Sequence, residues 1–125
     1  MTVAVLGSGA FGTALAVAEA RTGPVILWTR SDDQFRDMVE TRTNPSRLPD
    51  ITLPDAVTPT GELADTATAE AVLLAVPMQS LRGFLERLPD VLAGKPLVAC
   101  CKGVELGTGL GPVSVIRDVL PDAHA

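Results

Sequence analysis

Short, unbroken apolar runs alternate along this chain with segments whose apolar positions recur every three or four residues. Val3-Ala4-Val5-Leu6 opens the pattern, and with no polar residue on either face it predicts a buried parallel strand. Thr13-Ala14-Leu15-Ala16-Val17-Ala18-Glu19-Ala20, rich in strong helix formers, predicts the first helix. Thr22-Gly23-Pro24 stops it, and Val25-Ile26-Leu27-Trp28 predicts a second strand. Ser31-Asp32-Asp33-Gln34 has the form of a capping box, heading a helix that sets Phe35, Met38 and Val39 on one face. Residues 43–60 hold Pro45, Pro49, Pro54 and Pro59 and predict an irregular excursion, with at most a short strand around Val57. Glu62 to Ala69 predicts a short helix, and Ala71-Val72-Leu73-Leu74-Ala75-Val76 a third full strand. Pro77-Met78-Gln79 turns into a helix carrying Leu81, Phe84, Leu85 and Leu88. Pro96 to Cys101 predicts another strand, and Pro112 to Leu120 a last helix.

Strands alternating with helices predict right-handed crossovers and hence an α/β fold, a doubly wound parallel sheet of the Rossmann-like kind. A full dinucleotide-binding sheet of that kind has six strands. The pattern supplies four besides the Val57 segment, so the sheet is expected to be incomplete at its C-terminal end and the chain to be a fragment.

Composition narrows this further. In a chain of 125 residues, 46% hydrophobic, there is enough apolar material for one core and far too much for disorder. A net charge of −5 with no basic stripe argues against a nucleic-acid partner. No run approaches the roughly 18 apolar residues of a membrane span. With the first strand starting at residue 2 or 3, no signal peptide is expected, and a cytoplasmic setting follows. Cys100 and Cys101 are strand neighbours that point to opposite faces, so no disulfide joins them. A single histidine and no Cys-x-x-Cys leave no metal site.

The chemistry concentrates at the first strand–helix junction. Gly7-Ser8-Gly9-Ala10-Phe11-Gly12 is a Gly-x-Gly-x-x-Gly run placed where a dinucleotide fingerprint requires it. Gly7 suits the tight turn, Gly9 lets the backbone approach a pyrophosphate, and Gly12 permits close helix–strand packing. The helix start behind them offers N–H groups and a positive dipole end. At the end of the second strand, where an NAD site usually carries an acid on the ribose 2′-OH, the chain has Thr29-Arg30-Ser31. Arg30 is a forked cation suited to a 2′-phosphate, so NADP is favoured over NAD; a solvated arginine beside a helix cap is the alternative. Pro77, after the third strand, either flanks the cofactor or is an ordinary first-turn proline. Lys102, after the last strand, either binds a phosphate or carboxylate as a point charge or is a surface lysine. Gly107-Thr108-Gly109-Leu110-Gly111 follows no strand and reads as a flexible connection. No Ser-His-Asp set, carboxylate pair or tyrosine is present, so no catalytic residue is assigned within this chain.

Five segments then carry a family resemblance: Gly7 to Ala16, Leu27-Trp28-Thr29-Arg30, Asn44-Pro45-Ser46-Arg47-Leu48-Pro49, Ala75-Val76-Pro77, and Cys101-Lys102-Gly103-Val104-Glu105. In this order they resemble the N-terminal part of bacterial NAD(P)-dependent glycerol-3-phosphate dehydrogenases, over nearly the whole chain. The resemblance implies interconversion of sn-glycerol 3-phosphate and dihydroxyacetone phosphate for phospholipid synthesis. It implies that residues 1–125 are a partial N-terminal NAD(P)-binding domain, with a helical substrate domain and the catalytic lysine outside it. It also implies cofactor contacts at Ala10, Phe11 and Arg30, and at Lys102 a contact shared by cofactor and substrate phosphate. The family often has serine where this chain has Ala10, which removes a side-chain contact to the pyrophosphate and leaves a backbone one. The isolated chain is expected to bind cofactor without catalysis. Other readings are a ketopantoate reductase-like NADP enzyme and a stand-alone nucleotide-binding module. The open edge of an incomplete sheet leaves homo-oligomer formation open as well.

Overall fold

The computed structural model describes residues 1–125, the side chain of Val91 excepted. Strand β1 (Val3–Leu6) lies at the centre of a sheet whose neighbours all run parallel to it. On one side are β2 (Val25–Trp28) and β5 (Val57–Thr60), and on the other β6 (Ala71–Leu74) and β7 (Leu97–Ala99), giving the order β5-β2-β1-β6-β7. Between β2 and β5 the chain makes a small antiparallel ribbon of β3 (Thr43–Asn44) and β4 (Leu48–Thr52).

Because β1 runs between two neighbours, its side chains alternate between two buried layers. Val3, Val5, Val25, Leu27, Ala71 and Leu73 pack with Ala16 of helix α1 (Ala10–Glu19) and Met38 of α2 (Asp32–Thr41). Ala4, Leu6, Val72 and Leu74 face the other way. They meet Leu81 and Leu85 of α3 (Leu81–Glu86), Leu92 of α4 (Asp90–Ala93), and Val115 and Ile116 of α5 (Pro112–Val119). Helices therefore cover both faces, which is why the strands read as continuous apolar runs. Cys100 packs toward the first layer and Cys101 toward the second, and both thiols are free.

Several elements differ from the sequence reading for local reasons. Helix α1 begins at Ala10, so Gly12 lies inside its first turn. The segment around Val57 is a full strand at the sheet edge, where Pro59 is tolerated; the Val25 N–H bonds the Ala56 carbonyl, and the Thr29 N–H, just past β2, bonds the Thr60 carbonyl. The excursion before it is partly ordered by Arg42, which caps α2 at φ +55°. Its backbone carbonyl accepts from the Leu53 N–H at 2.6 Å, and its guanidinium donates to the carbonyls of Pro54 at 2.6 Å and Val57 at 2.9 Å. The segment expected to be helical over 62–69 is only a 3-10 turn, Leu63–Thr66. After β6, a 3-10 turn (Met78–Ser80) leads into α3, and Pro89 separates α3 from the unforeseen α4. Beyond α5 the chain returns alongside β7: Pro96 and His124 form a parallel bridge, with the Leu97 N–H donating to the His124 carbonyl at 2.7 Å.

Candidate dinucleotide-binding cleft

A cleft of about 880 Å³ opens beyond the carboxyl ends of β1, β2 and β6. The chain leaves β1 for β2 on one side and later places β6 on the other, so the cleft sits where the winding direction reverses. Ligands of open α/β sheets collect at such a point.

The three glycines of the first turn are glycine for different reasons. Gly7 has φ +119°, and a Cβ there would stand 2.7 Å from the Ala75 carbonyl oxygen. A side chain at Gly12 would collide with the Gly7 carbonyl. Both are demanded by the protein's own packing. Gly9 is not: a Cβ there meets nothing within 4 Å, and the residue lines the cleft. It is also the N-cap of α1, no side chain caps that helix, and no acid lies in its first turn. The first N–H groups of α1 thus lack intrahelical partners at an uncapped positive end.

Buried polar side chains hold this turn in place. Asn44, fully buried, donates from Nδ2 to the Ser8 carbonyl at 2.9 Å and to Thr13 Oγ1 at 3.0 Å. Ser8 Oγ donates to Gln34 Oε1 at 2.5 Å, tying the glycine turn to α2. Of the capping box only the N-cap half forms: the Gln34 N–H donates to Ser31 Oγ at 3.2 Å, while the Gln34 side chain is taken by Ser8. Thr29 Oγ1 accepts from the Ser31 N–H at 3.1 Å, so the hydroxyls of Thr29 and Ser31 are engaged in shaping the β2–α2 turn. Trp28 lines the cleft wall, with its ring centroid 5.4 Å from that of Phe84 and its Nε1–H on the Gly61 carbonyl at 3.3 Å.

The charges of the cleft are all of one sign. Arg30, Arg47 and Arg87 line it, and no aspartate or glutamate does. All three are exposed, and none forms an ion pair among the described residues. In a chain of net charge −5 this local excess of cations suits an anionic ligand.

The residues singled out from the sequence fall in distinct places. Gly9, Arg30 and Pro77 line the cleft, while Gly7 and Gly12 shape the turn beneath it. Ala10 and Phe11 occupy the first turn of α1, with Phe11 61% exposed. Lys102 is exposed in the loop after β7, outside the cleft lining. That loop carries an ion-pair cluster: Arg82 binds Glu105 at 3.0 Å and Asp118 at 2.7 Å. Hydrogen bonds from Arg82, then from Thr108, hold the Glu105 carboxyl below the usual carboxylate range, and the two acids push the Arg82 guanidinium further up. Burial raises both cysteine thiols, which makes them poor nucleophiles.

Sequence reasoning left Asn44, Arg47 and Arg87 without roles and gave Gln34 only one in the helix cap. Asn44 and Arg47 stood inside a recognised motif, but nothing local shows that they fold back onto β1. Arg87 carries no sequence signal.

Residues 2–125 match the sequence model of the NAD-dependent glycerol-3-phosphate dehydrogenase N-terminus. The chain belongs to this family. A glycerol-3-phosphate dehydrogenase (NAD(P)+) of Ruegeria sp. is 55% identical over 125 residues, covering 100% of this chain and 39% of that protein. One from Roseobacter denitrificans is 50% identical over 124 residues, again spanning 39% of the relative's length. The chain thus spans about two fifths of the length of the relatives it matches. Among solved structures, glycerol-3-phosphate dehydrogenase from Coxiella burnetii superposes with a TM-score of 0.86 at 26% identity, over 95% of this chain and 37% of that one. A putative F420-dependent NADP reductase from Arthrobacter superposes with a TM-score of 0.71 at 27% identity, over 98% of this chain and 59% of the other. The fold is therefore that of a Rossmann-like N-terminal domain shared among dehydrogenases and reductases. Among the described residues no helix is long and apolar enough to cross a membrane.

Proposed function

We propose that this chain is the dinucleotide-binding part of an oxidoreductase that interconverts sn-glycerol 3-phosphate and dihydroxyacetone phosphate in the cytoplasm, feeding phospholipid synthesis. The observation that carries the reading is Gly9, open beside an uncapped helix start to a cleft lined by three arginines and no acid. Backbone N–H groups of the α1 first turn would take the pyrophosphate, with Ala10 and Phe11 supplying two of them. Arg30 at the end of β2 would take the 2′-phosphate, and the absence of a carboxylate from the cleft favours NADP over NAD. Pro77 forms the opposite lip, and Lys102 reaches the phosphate-bearing ligands from the loop after β7.

A bound nicotinamide supplies hydride transfer. The residues of this chain bind and orient it. None of the cleft residues is a histidine, lysine, aspartate or glutamate, so proton transfer falls to a group outside the cleft lining. That group, with a helical substrate domain, is assigned to sequence outside residues 1–125, and the isolated chain is expected to bind without turnover.

Titrating the full-length protein with NADPH and NADH, followed by the emission of the dihydronicotinamide itself, should saturate, with NADPH the tighter ligand. The same protein should oxidise NADPH with dihydroxyacetone phosphate and not with ketopantoate. Absence of binding by either dinucleotide overturns the cofactor reading. Binding without turnover of dihydroxyacetone phosphate overturns the substrate alone.

A further inference from the structure

The loop that carries Lys102 has little of its own to hold it against the sheet. β7 ends at Ala99, and Gly103 and Gly107 have φ of +96° and +93°, so the chain between them hangs from two joints with glycine's freedom. Val104 and Leu106 between those joints are 53% and 78% exposed, so core packing does not fix them. The Glu105 N–H to Leu110 carbonyl bond at 2.8 Å and the Gly109 N–H to Glu105 carbonyl bond at 2.9 Å close the loop on itself without attaching it elsewhere.

Two side chains make the attachment, Gln79 from the turn after Pro77 and Arg82 from the start of α3. Gln79 Nε2 donates to the Val104 carbonyl at 2.8 Å, and its Oε1 accepts from the Leu106 N–H at 2.9 Å. Its amide thereby pairs with the loop backbone as a neighbouring strand would. Between those two residues, Arg82 grips Glu105: Nε donates to both carboxylate oxygens at 3.2 and 3.0 Å, and Nη2 to one of them at 3.1 Å. Arg82 Nη1 is anchored in turn on Asp118 of α5 at 2.7 Å. Three consecutive loop residues are thus held from one short segment, and Gln79 itself lines the cleft.

We infer that Gln79 and Arg82 are positioning residues that fix the loop after β7 relative to the cleft, so that the Lys102 ammonium meets a phosphate of the bound ligands. The inference rests on the reading of Lys102 as a phosphate contact. Lys102 lies in the short stretch between the end of β7 at Ala99 and the pinned Val104, so holding residues 104–106 fixes both ends of the stretch that carries it. The clamp and the cleft lip lie on one short stretch, the turn after Pro77 and the first residues of α3, which makes the distance between Pro77 and the loop a property of residues 77–82 rather than of the sheet.

The test uses the full-length enzyme and compares Gln79→Ala, Lys102→Ala and the double variant by KM for dihydroxyacetone phosphate, kcat, NADPH Kd and Tm. Lys102→Ala should raise KM about tenfold or more, the scale of one charge-assisted hydrogen bond lost. Gln79→Ala should raise KM about three- to tenfold without a matching fall in Tm. The double variant should be no worse than Lys102→Ala alone, because Gln79 acts through Lys102. Gln79→Glu, of the same size, sets a carboxylate against the Val104 carbonyl and should reproduce the Gln79→Ala defect; it is the second variant if alanine disturbs folding. Arg82→Lys keeps the charge but loses the fork and should raise KM as well. Additive effects in the double variant, or an unchanged KM in both Gln79 variants, overturn the positioning role while leaving Lys102 as a contact. Unchanged KM and Kd in Lys102→Ala overturn the phosphate role of Lys102, and the positioning role with it.

Discussion

Single residues in this chain divide into those the fold needs and those it does not. Arg30 is of the second kind: exposed, with no ion pair among the described residues, and set at the end of β2 on the cleft wall. Arg30→Ala should cost about 1.5–3 kcal/mol of NADPH binding, as for a charged hydrogen bond, and leave NADH binding nearly unchanged. Equal losses for the two dinucleotides, measured as Kd, would remove Arg30 from the 2′-phosphate. Asn44 is of the first kind. Its amide is buried and satisfies the Ser8 carbonyl and Thr13 Oγ1 under the glycine turn. Asn44→Ala should therefore lower unfolding free energy by about 1–3 kcal/mol, read from chemical denaturation midpoints, because a buried acceptor loses its donor. The place of Arg30 on the cleft wall was legible, since the end of a second strand faces the ligand side of such a sheet. That of Asn44 was not, because its partners lie more than thirty positions away (|i−j| of 31 and 36).

At the scale of elements, the strand–turn–helix unit at the start of the chain shows why three glycines of one motif should respond differently to substitution. Gly9 has φ −66°, which alanine adopts freely, and open space beside it. Gly9→Ala should stay folded, with a capping loss of less than about 1 kcal/mol, while dinucleotide binding falls. Gly7→Ala must place a side chain at φ +119° against the Ala75 backbone and should fold poorly. Thermal unfolding and dinucleotide titration of the two variants separate the cases; a Gly9→Ala protein that binds normally removes the close-approach role. The same unit and the Ser31–Gln34 cap were readable in advance because both depend on residues a few positions apart. Helix ends that depend on remote contacts were read less well: Arg42 terminates α2 through carbonyls of the distant Leu53–Val57 stretch, and no local signal announces it.

For the molecule as a whole, the Arg82–Glu105–Asp118 cluster joins α3, the loop after β7 and α5. The Glu105 carboxyl titrates below its ordinary value of 4.5, chiefly through the Arg82 hydrogen bonds. A depressed carboxylate contributes stability that is complete above its unfolded-state value and is lost as pH falls through the folded one. The loop should therefore loosen on acidification below about pH 4.5, ahead of the sheet, with amide exchange at Leu106 rising first. Glu105→Gln should abolish that pH dependence and leave the loop loose at neutral pH. Amide exchange at Leu106 that tracks the core strands across the same pH range would contradict the clamp.

Periodicity and turn chemistry act over a few residues, so the amino-acid order alone carried the β–α alternation, the buried character of the strands, the glycine turn and the cap on α2. The convergence of Gly9, Arg30, Arg47, Arg87 and Pro77 on one cleft depends on the strand order β5-β2-β1-β6-β7. The same order makes a full edge strand of the proline-containing segment at Val57. It also brings Gln79 against a loop 25 to 27 positions further on. These placements arise from tertiary packing because sheet order is chosen by burying both faces of β1 at once, a global requirement that no local window of residues expresses.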